Sequence, residues 1–322
     1  MAMRVILTNS LLKYYLLIKR RITNKLARNN KYKEINKVAK GTVLMREEKV
    51  KIIPLGGLGE IGKNITVFEC DDEIIVVDCG IAFPDEEMYG VDLIIPDISY
   101  LKNNVKKIKG IFLTHGHEDH IGSLPYVLKE VNVPIYGTKL TIGIVKTKLE
   151  EHNLLSEVKL HNVEAGDVIK FDKFKVEFIR NTHSIADSCS LAIFTPVGTI
   201  LHTGDFKIDY TPIDGETMDL QRISNLGKEG VTLLMADSTN VERKGHSLSE
   251  KSIGHTLDRI ISKAKGRVIV ATFASNIHRM QQIVDASIKN KRKVVFNGRS
   301  MENISKVAME LGYLHIPENS VL

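Results

Sequence analysis

Cysteine is scarce in this chain, and long apolar runs are missing from it. The three cysteines, Cys70, Cys79 and Cys189, are not spaced as thiolate ligands of a metal site are. Cys70 and Cys79 lie in apolar, strand-like contexts, which predicts buried free thiols and therefore a reducing compartment, the cytoplasm. No apolar run is long enough to cross a bilayer, so the sequence predicts no membrane span.

Acidic residues are nearly absent from the first 46 positions. This segment contains twelve lysines and arginines but only one acid, Glu34, which gives it a formal charge of +11. The rest of the chain carries −5, so the net charge of +6 belongs to the N-terminal segment rather than to the body. We predict that residues 1–48 form a disordered basic extension.

Three interpretations of this extension stay open. A basic arm would bind RNA phosphates in a salt-sensitive way. Residues 5–21 would instead form a weakly amphipathic helix on a membrane surface. In the third interpretation, translation starts at Met45, because the residues after it lead directly into the first predicted strand. A secretory signal is disfavoured, since polar residues interrupt the apolar stretch and no clear cleavage site follows. We favour a disordered arm or sequence upstream of the true start.

Histidine is concentrated in one short run. Residues 114–120 read THGHEDH, with three histidines and Asp119 close together. The apolar residues 111–113 before the run predict a buried strand, and residues 121–131 after it predict an amphipathic helix. The run is therefore predicted to form a loop at a strand end, where functional sites are common.

The residue types in this run favour a metal site. His115 and His117 alternate in an extended segment, so both can face one metal ion, while Asp119 and His120 are placed to reach a second. Imidazoles and carboxylates without thiolates suit two divalent ions, with positions left open for water. Zn²⁺ is the favoured metal and Mn²⁺ is the alternative. A single strand-end histidine is usually structural, but three within six residues are hard to explain in that way.

Three more ligand-type residues follow apolar, strand-like stretches. They are Asp78, His183 and Asp205. Each alone is unremarkable, because an aspartate at a strand end is often a turn former. Together with the histidine run they predict one edge of a sheet sandwich lined with metal ligands.

These residues resemble the ordered signature of the metallo-β-lactamase superfamily. The resemblance implies an α/β fold, the αβ/βα sandwich. It also implies a ligand set in which the first ion is bound by His115, His117 and His183, the second is bound by Asp119 and His120, and both are bridged by Asp205. Asp78 would orient a histidine ligand, as carboxylates near metal sites do.

Three further stretches narrow the resemblance to the ribonuclease J family of β-CASP ribonucleases. They are PLGGLGEIGKN (residues 54–64), ADSTN (236–240) and ATFASNIHR (271–279). Glyoxalase II and ribonuclease Z share the histidine run but not the glycine loop and the later stretches in this form. The resemblance implies a metallo-β-lactamase domain over residues 49–245 and the start of an α/β β-CASP domain over residues 246–322.

The glycine loop also fits a dinucleotide-binding fingerprint, GLGEIG at residues 57–62. That fingerprint requires a helix to begin at its last glycine. Residues 65–70 are instead β-branched and aromatic, and a turn at residues 71–72 leads into a second apolar stretch. The sequence therefore predicts a hairpin and disfavours nucleotide binding here.

Asp237 and the start of a later predicted helix each have a predicted functional role and a competing structural one. The resemblance implies that Asp237 works with a later histidine in protonating the leaving group, although a strand-cap role is nearly as well supported by sequence. Ser275, His278 and Arg279 stand at the start of a predicted helix and would bind a substrate phosphate. A helix capped by Ser275, with a solvated Arg279, is an equally good interpretation.

After Asp237 the pattern becomes α/β, with predicted strands at residues 267–273 and 293–297 and predicted helices at 278–289 and 301–311. In the family this domain continues into further histidines and phosphate-binding loops. We therefore expect a fragment of a longer reading frame.

The family resemblance implies an enzyme that hydrolyses RNA phosphodiesters in RNA decay and maturation. Its action would be 5′-to-3′ exonucleolytic with endonuclease activity, on single-stranded, 5′-monophosphorylated RNA, in a homo-oligomer or with a paralogous partner. The alternative is a truncated, catalytically inactive chain that binds metal and RNA. A hydrolase of small thioesters or lactams is a third, weaker interpretation.

Overall fold

The computed structural model describes residues 48–317 and 320–321, so the predictions for the basic extension lie outside the described residues. The strands are β1 Val50–Gly56, β2 Ile65–Cys70, β3 Glu73–Val77, β4 Ile108–Phe112, β5 Ile135–Thr138, β6 Leu160–Val163, β7 Val168–Lys170, β8 Lys175–Arg180, β9 Cys189–Thr195, β10 Gly198–His202 and β11 Val231–Met235. The helices are α1 Ser99–Asn103, α2 Glu118–Ile121, α3 Leu124–Val127, α4 Lys139–Glu151, α5 Leu220–Glu229, α6 Lys251–Lys263, α7 Ile277–Lys289 and α8 Arg299–Glu310. A short 3₁₀ helix, Val105–Lys107, precedes β4.

The strands form two sheets. The first has the order β1-β2-β3-β4-β5-β6, antiparallel from β1 to β3 and parallel from β3 to β6. The second has the order β11-β10-β9-β8-β7 and is antiparallel except for the β10–β11 pair. In sequence order, helices form several of the connections between strands. The predicted αβ/βα sandwich is therefore confirmed.

The hairpin β2–β3 shows how the sequence specifies these layers. Every residue of both strands is buried, so both faces of the first sheet are covered. Alternate residues belong to different cores. Phe68 and Ile75 pack with residues of the second sheet, while Val67 and Val76 pack with the helical layer. Burial of a side chain of this size stabilises the fold by about 1.5–3 kcal/mol.

The predicted hairpin after the glycine loop is confirmed. β2 and β3 pair in an antiparallel manner across a turn at Asp71, whose φ is +51°. No helix begins at Gly62, so the requirement of the dinucleotide fingerprint is not met.

The helix predicted at residues 121–131 is wrong as a single element. Two one-turn helices, α2 and α3, stand in its place. Pro125 lies at the start of α3 and has no backbone N–H to continue a longer helix.

In the last part of the chain the helices agree with the prediction and the strands do not. α7 and α8 match residues 278–289 and 301–311, whereas residues 267–273 form no strand and Val294 makes only an isolated bridge to Val321. A strand needs a neighbouring strand to pair with its backbone N–H and C=O groups. In the described part of the chain, no strand pairs with residues 267–273. α7 and α8 pack on the same core as α4, through Ile277, Met280 and Ala308.

No helix in the described part of the chain combines the length and the apolar character that a membrane crossing needs.

Candidate metal centre

The predicted ligands lie at strand ends where the two sheets meet. Asp78 follows β3 and the histidine run follows β4, and these two strands are parallel neighbours, so both chains leave the sheet at the same edge. Backbone hydrogen bonds hold the edge together. Asp78 N donates to Phe112 O at 3.0 Å, and Cys189 N of the second sheet donates to Thr114 O at 2.9 Å.

Three histidines form one group of ligand atoms. His117 Nδ1 lies 3.1 Å from His115 Nε2 and 3.1 Å from His183 Nε2. His115 is fully buried, while His117 and His183 are partly exposed. The group therefore has a buried floor and an open side.

A second group shares His115 with the first. It contains His115, His120 and Asp205, and each group has its ligand atoms within 4.8 Å of one another. His120 Nε2 lies 3.3 Å from Asp205 Oδ1 and 3.5 Å from Asp119 Oδ2. Asp205 also reaches toward the first group, with Oδ2 at 3.8 Å from His183 Nε2.

These spacings fit divalent metal ions. Bonds of about 2.1 Å at tetrahedral angles place two ligand atoms roughly 3.4 Å apart, close to the separations found here. The donors are imidazole nitrogens and carboxylate oxygens, which suit Zn²⁺ and Mn²⁺. Asp205 stands between the two groups, where a bridging carboxylate would stand.

Asp78 lies beneath the centre and contacts a ligand from behind. Its Oδ2 is 2.8 Å from His120 Nδ1, so His120 turns its Nε2 toward Asp119 and Asp205. Thr114 donates to Asp78 from its backbone N–H at 2.8 Å and from its hydroxyl at 3.0 and 3.1 Å. Carboxylates in this arrangement fix the orientation of a ligating histidine.

Three polar residues that were not predicted to have roles also contact the centre. Thr114 Oγ1 is 3.0 Å from His115 Nδ1, and Asn64 Nδ2 is 3.1 Å from His120 Nε2. Asn181 Nδ2 donates to Asp205 O at 2.9 Å and to Thr203 O at 3.0 Å. Thr114 and Asn181 stand within two residues of predicted ligands, and Asn64 ends the glycine-loop stretch at residues 54–64, so position in a motif was the available signal.

Burial and mutual repulsion keep most of the histidines neutral. Burial, together with the charges of neighbouring histidines, lowers the pKa of His115 well below its usual value. The same causes lower the pKa of His117 to about 3, and burial lowers the pKa of His183. Neutral imidazoles have a lone pair free for a metal ion at neutral pH.

His120 behaves in the opposite way. Burial opposes its protonation, but the Asp78 charge and the hydrogen bonds of Asp119 and Asp205 raise its pKa well above the usual value. Burial likewise opposes ionisation of Asp205, yet the contact with His120 lowers the pKa of Asp205 to about 2. In the metal-free chain, His120 and the carboxylates around it thus favour each other's charged forms.

Asp237 lies beside the Asp205 loop. Its Oδ2 is 3.5 Å from the backbone nitrogen of Phe206, and its backbone N–H donates to Thr203 Oγ1 at 3.0 Å. Its other carboxylate oxygen accepts from the backbone N–H and hydroxyl of Thr239. The predicted acid is close to the centre, and it also holds a turn.

The residues predicted to bind phosphate are placed differently from one another. Asn276, not Ser275, caps α7, because its side chain accepts from Arg279 N. Arg279 is partly exposed but paired, since its Nε donates to Glu250 Oε1 at 2.8 Å. His278 is buried, with Nε2 3.3 Å from Asp214. Phosphate binding by Ser275, His278 and Arg279 stays a prediction.

The region that carries this site matches a known family. Residues 58–235, more than half of the chain, match the family model described as metallo-beta-lactamase superfamily. The chain belongs to the metallo-beta-lactamase superfamily. Members of this superfamily bind divalent metal, and the histidine and aspartate cluster lies inside the matched region. Residues 265–322 match the family model for the ribonuclease J beta-CASP domain, which confirms the predicted resemblance and the start of that domain.

Several relatives with about half of their aligned residues identical carry the name Ribonuclease J. One from Synechocystis is 52% identical over 84% of this chain and 42% of its own length. Another, from Thermus thermophilus, is 52% identical over 84% of this chain and 49% of its own length. The chain thus spans about half the length of these relatives, or less.

One solved structure shares the fold over most of the chain. It is a protein of unknown function from Enterococcus faecalis, with a TM-score of 0.62 and 17% identity over 85% of this chain and 73% of that one. This likeness concerns the fold alone.

Proposed function

We propose that this superfamily member acts on RNA as a metal-dependent ribonuclease. The observation that carries the proposal is the pair of ligand groups sharing His115, in a chain about 50% identical to proteins named Ribonuclease J. The ligands would be those predicted from the sequence, and they would bind two divalent ions. Zn²⁺ is the favoured metal and Mn²⁺ is the alternative. Nearby carboxylates suit acid–base work on a phosphodiester.

The chemistry follows from the arrangement of the residues. Bound metal lowers the pKa of water and neutralises phosphate charge. His115, His117, His120 and His183 would hold the ions, and the partly exposed side of the site would admit a phosphodiester. Asp78 orients His120, and Asp237 would transfer a proton to the leaving oxygen with a further histidine.

We propose single-stranded RNA with a 5′ monophosphate as the substrate. Degradation would run 5′ to 3′, with endonuclease action in addition, in RNA decay and rRNA processing. We further propose a cytoplasmic enzyme that forms homo-oligomers or pairs with a paralogue. Three free, buried cysteines support a reducing compartment.

The first test is a cleavage assay on 5′-monophosphorylated single-stranded RNA, with metal content measured in the same sample of the 322-residue chain. His117→Ala should abolish cleavage and lower bound metal, because His117 contacts two other ligands. His315→Ala is the control, since this histidine is exposed and belongs to neither ligand group. Equal cleavage by the His117 variant and the wild type would refute the assignment.

The same assay addresses the alternative. Stoichiometric metal without cleavage would favour a catalytically inactive chain that binds metal and RNA. Hydrolysis of a small thioester or lactam in place of RNA would favour the third interpretation.

A further inference from the structure

Four charged side chains form a cluster beside the metal centre. Asp209 and Glu250 are only 5% and 8% exposed. Lys207 Nζ lies 3.5 Å from Asp209 and 3.4 Å from Glu250. The Arg279 guanidinium donates to Glu250 Oε1 through both Nε and Nη2. Two cations thus balance two carboxylates, and such pairing is what permits charge to remain buried.

The Lys207 end of the cluster belongs to the loops that carry two ligands. Lys207 follows Asp205 by two residues, and its backbone N–H donates to Thr182 O at 2.9 Å. The Thr182 hydroxyl donates back to Lys207 O, so the loop before His183 is bound on both sides. Movement of Lys207 would therefore displace both ligand loops.

The Glu250 end belongs to the helical segment that follows β11. Glu250 immediately precedes α6, and its backbone N–H donates to Asp209 Oδ2 at 3.0 Å. Gln282 of α7 donates to Glu250 O at 2.9 Å, next to the Arg279 contact. Glu250 is thus the point where α6, α7 and the two ligand loops meet.

We propose that Glu250 is a positioning residue for the metal centre. Through its carboxylate, with Lys207 on one side and Arg279 on the other, it holds the loops of His183 and Asp205 at ligand spacing. The inference rests on the proposed function only for the assignment of His183 and Asp205 as ligands. It gives Arg279 a role that requires no substrate phosphate.

The test measures metal affinity rather than turnover. Glu250→Gln keeps the shape of the side chain and removes its charge, which leaves Lys207 and Arg279 without their shared partner. Titration of the metal-free chain with Zn²⁺, and with Co²⁺ followed by its visible absorption, should show roughly tenfold weaker binding and an altered Co²⁺ spectrum. Near-UV circular dichroism of the same samples checks that the fold is retained.

Glu69→Gln is the matched control. Glu69 is 5% exposed and also pairs with two cations, Lys51 at 2.8 Å and Lys107 at 3.2 Å. It lies on β2 one residue from the turn, at the end of the strand away from the ligands. This variant should lose comparable stability and keep wild-type metal affinity. Equal metal affinity in Glu250→Gln and wild type, or equal loss in both variants, would overturn the proposal.

Arg279→Lys separates positioning from phosphate binding. It keeps the positive charge next to Glu250 and should retain metal binding between the wild type and Glu250→Gln. A variant with wild-type metal affinity but a higher KM for 5′-monophosphorylated RNA would instead assign Arg279 to the substrate. A wild-type chain that binds metal without cleaving RNA refutes the proposed function alone, whereas a wild-type chain that binds no metal refutes both.

Discussion

At the residue scale, the metal centre depends on very close backbone approaches. Gly80 lies against the ligand segment, and a Cβ atom at this position would stand 1.5 Å from Asp119 O. Two residues earlier, Asp78 adopts a φ of +61°, a conformation that aspartate tolerates better than most residues. Cys79 N donates to His120 O at 2.7 Å, so this short segment runs directly beneath the ligands.

Gly80→Ala should therefore disrupt both stability and metal binding. The added methyl group has to displace the Asp119–His120 backbone, at a cost of about 3 kcal/mol in the free energy of unfolding. Denaturant unfolding and metal analysis of the purified variant provide the measurement.

Gly227→Ala is the control for this substitution. Gly227 lies within α5 and has open space where a Cβ would be, so alanine should raise the free energy of unfolding by about 0.5–1 kcal/mol. A Gly80 variant as stable as the Gly227 variant would contradict the structure at this position.

At the element scale, capping decides where α7 begins. The sequence offers Ser275 and Asn276 as neighbouring capping residues, and propensity alone does not choose between them. In the structure the Asn276 side chain accepts from Arg279 N at 3.0 Å, while Ser275 offers its backbone carbonyl to Ile277 N. The helix start fixes Arg279 near Glu250, so the cap also serves the charge cluster.

Asn276→Ala should lower the free energy of unfolding by about 1 kcal/mol, because an N-terminal backbone group of α7 loses its partner. Ser275→Ala should change it by only a few tenths of that amount. Thermal unfolding of the two variants compares them directly, and the reverse order of effects would mean that Ser275 is the cap.

At the scale of the whole molecule, the residues proposed as metal ligands could be selected from sequence because their motifs are local, and the structure brings them together. His115, His117 and His120 share one loop, and strand-end positions pointed to the rest. Glu250 could not be predicted in this way, since its partners Lys207 and Arg279 are 43 and 29 residues away. The absence of a strand at residues 267–273 could not be predicted either, because strand formation depends on a neighbouring strand that the local pattern does not reveal.

The ionisation of the centre predicts how stability of the metal-free chain depends on pH. His115, His117 and His183 have pKa values below their unfolded value of about 6.5, so the unfolded chain takes up protons that the folded chain does not. The three histidines therefore contribute stability to the folded chain above pH 6.5, and this contribution is lost as the pH falls. His120, with its raised pKa, contributes stability below pH 6.5 and loses it as the pH rises through its folded value.

The three lowered histidines of the centre, joined by His202, whose pKa burial also lowers, outweigh one raised histidine on the acid side. The free energy of unfolding should fall by at least roughly 1 kcal/mol per pH unit between pH 6.5 and 5 in metal-free protein. Urea unfolding of chelator-treated wild type at several pH values measures it. His117→Ala, which removes one of the three, should flatten the slope, and an unchanged slope would show that His117 is not among the titrating groups.

The buried thiols give the molecule an internal reporter of opening. Burial raises the pKa of Cys79 to about 12, and its sulfur lies 3.2 Å from the Ser123 hydroxyl. Since thiolates are the species that alkylating reagents attack, this cysteine is inert while the ligand segment above it stays closed. Its rate of modification by an alkylating reagent therefore measures how often the floor of the metal centre opens.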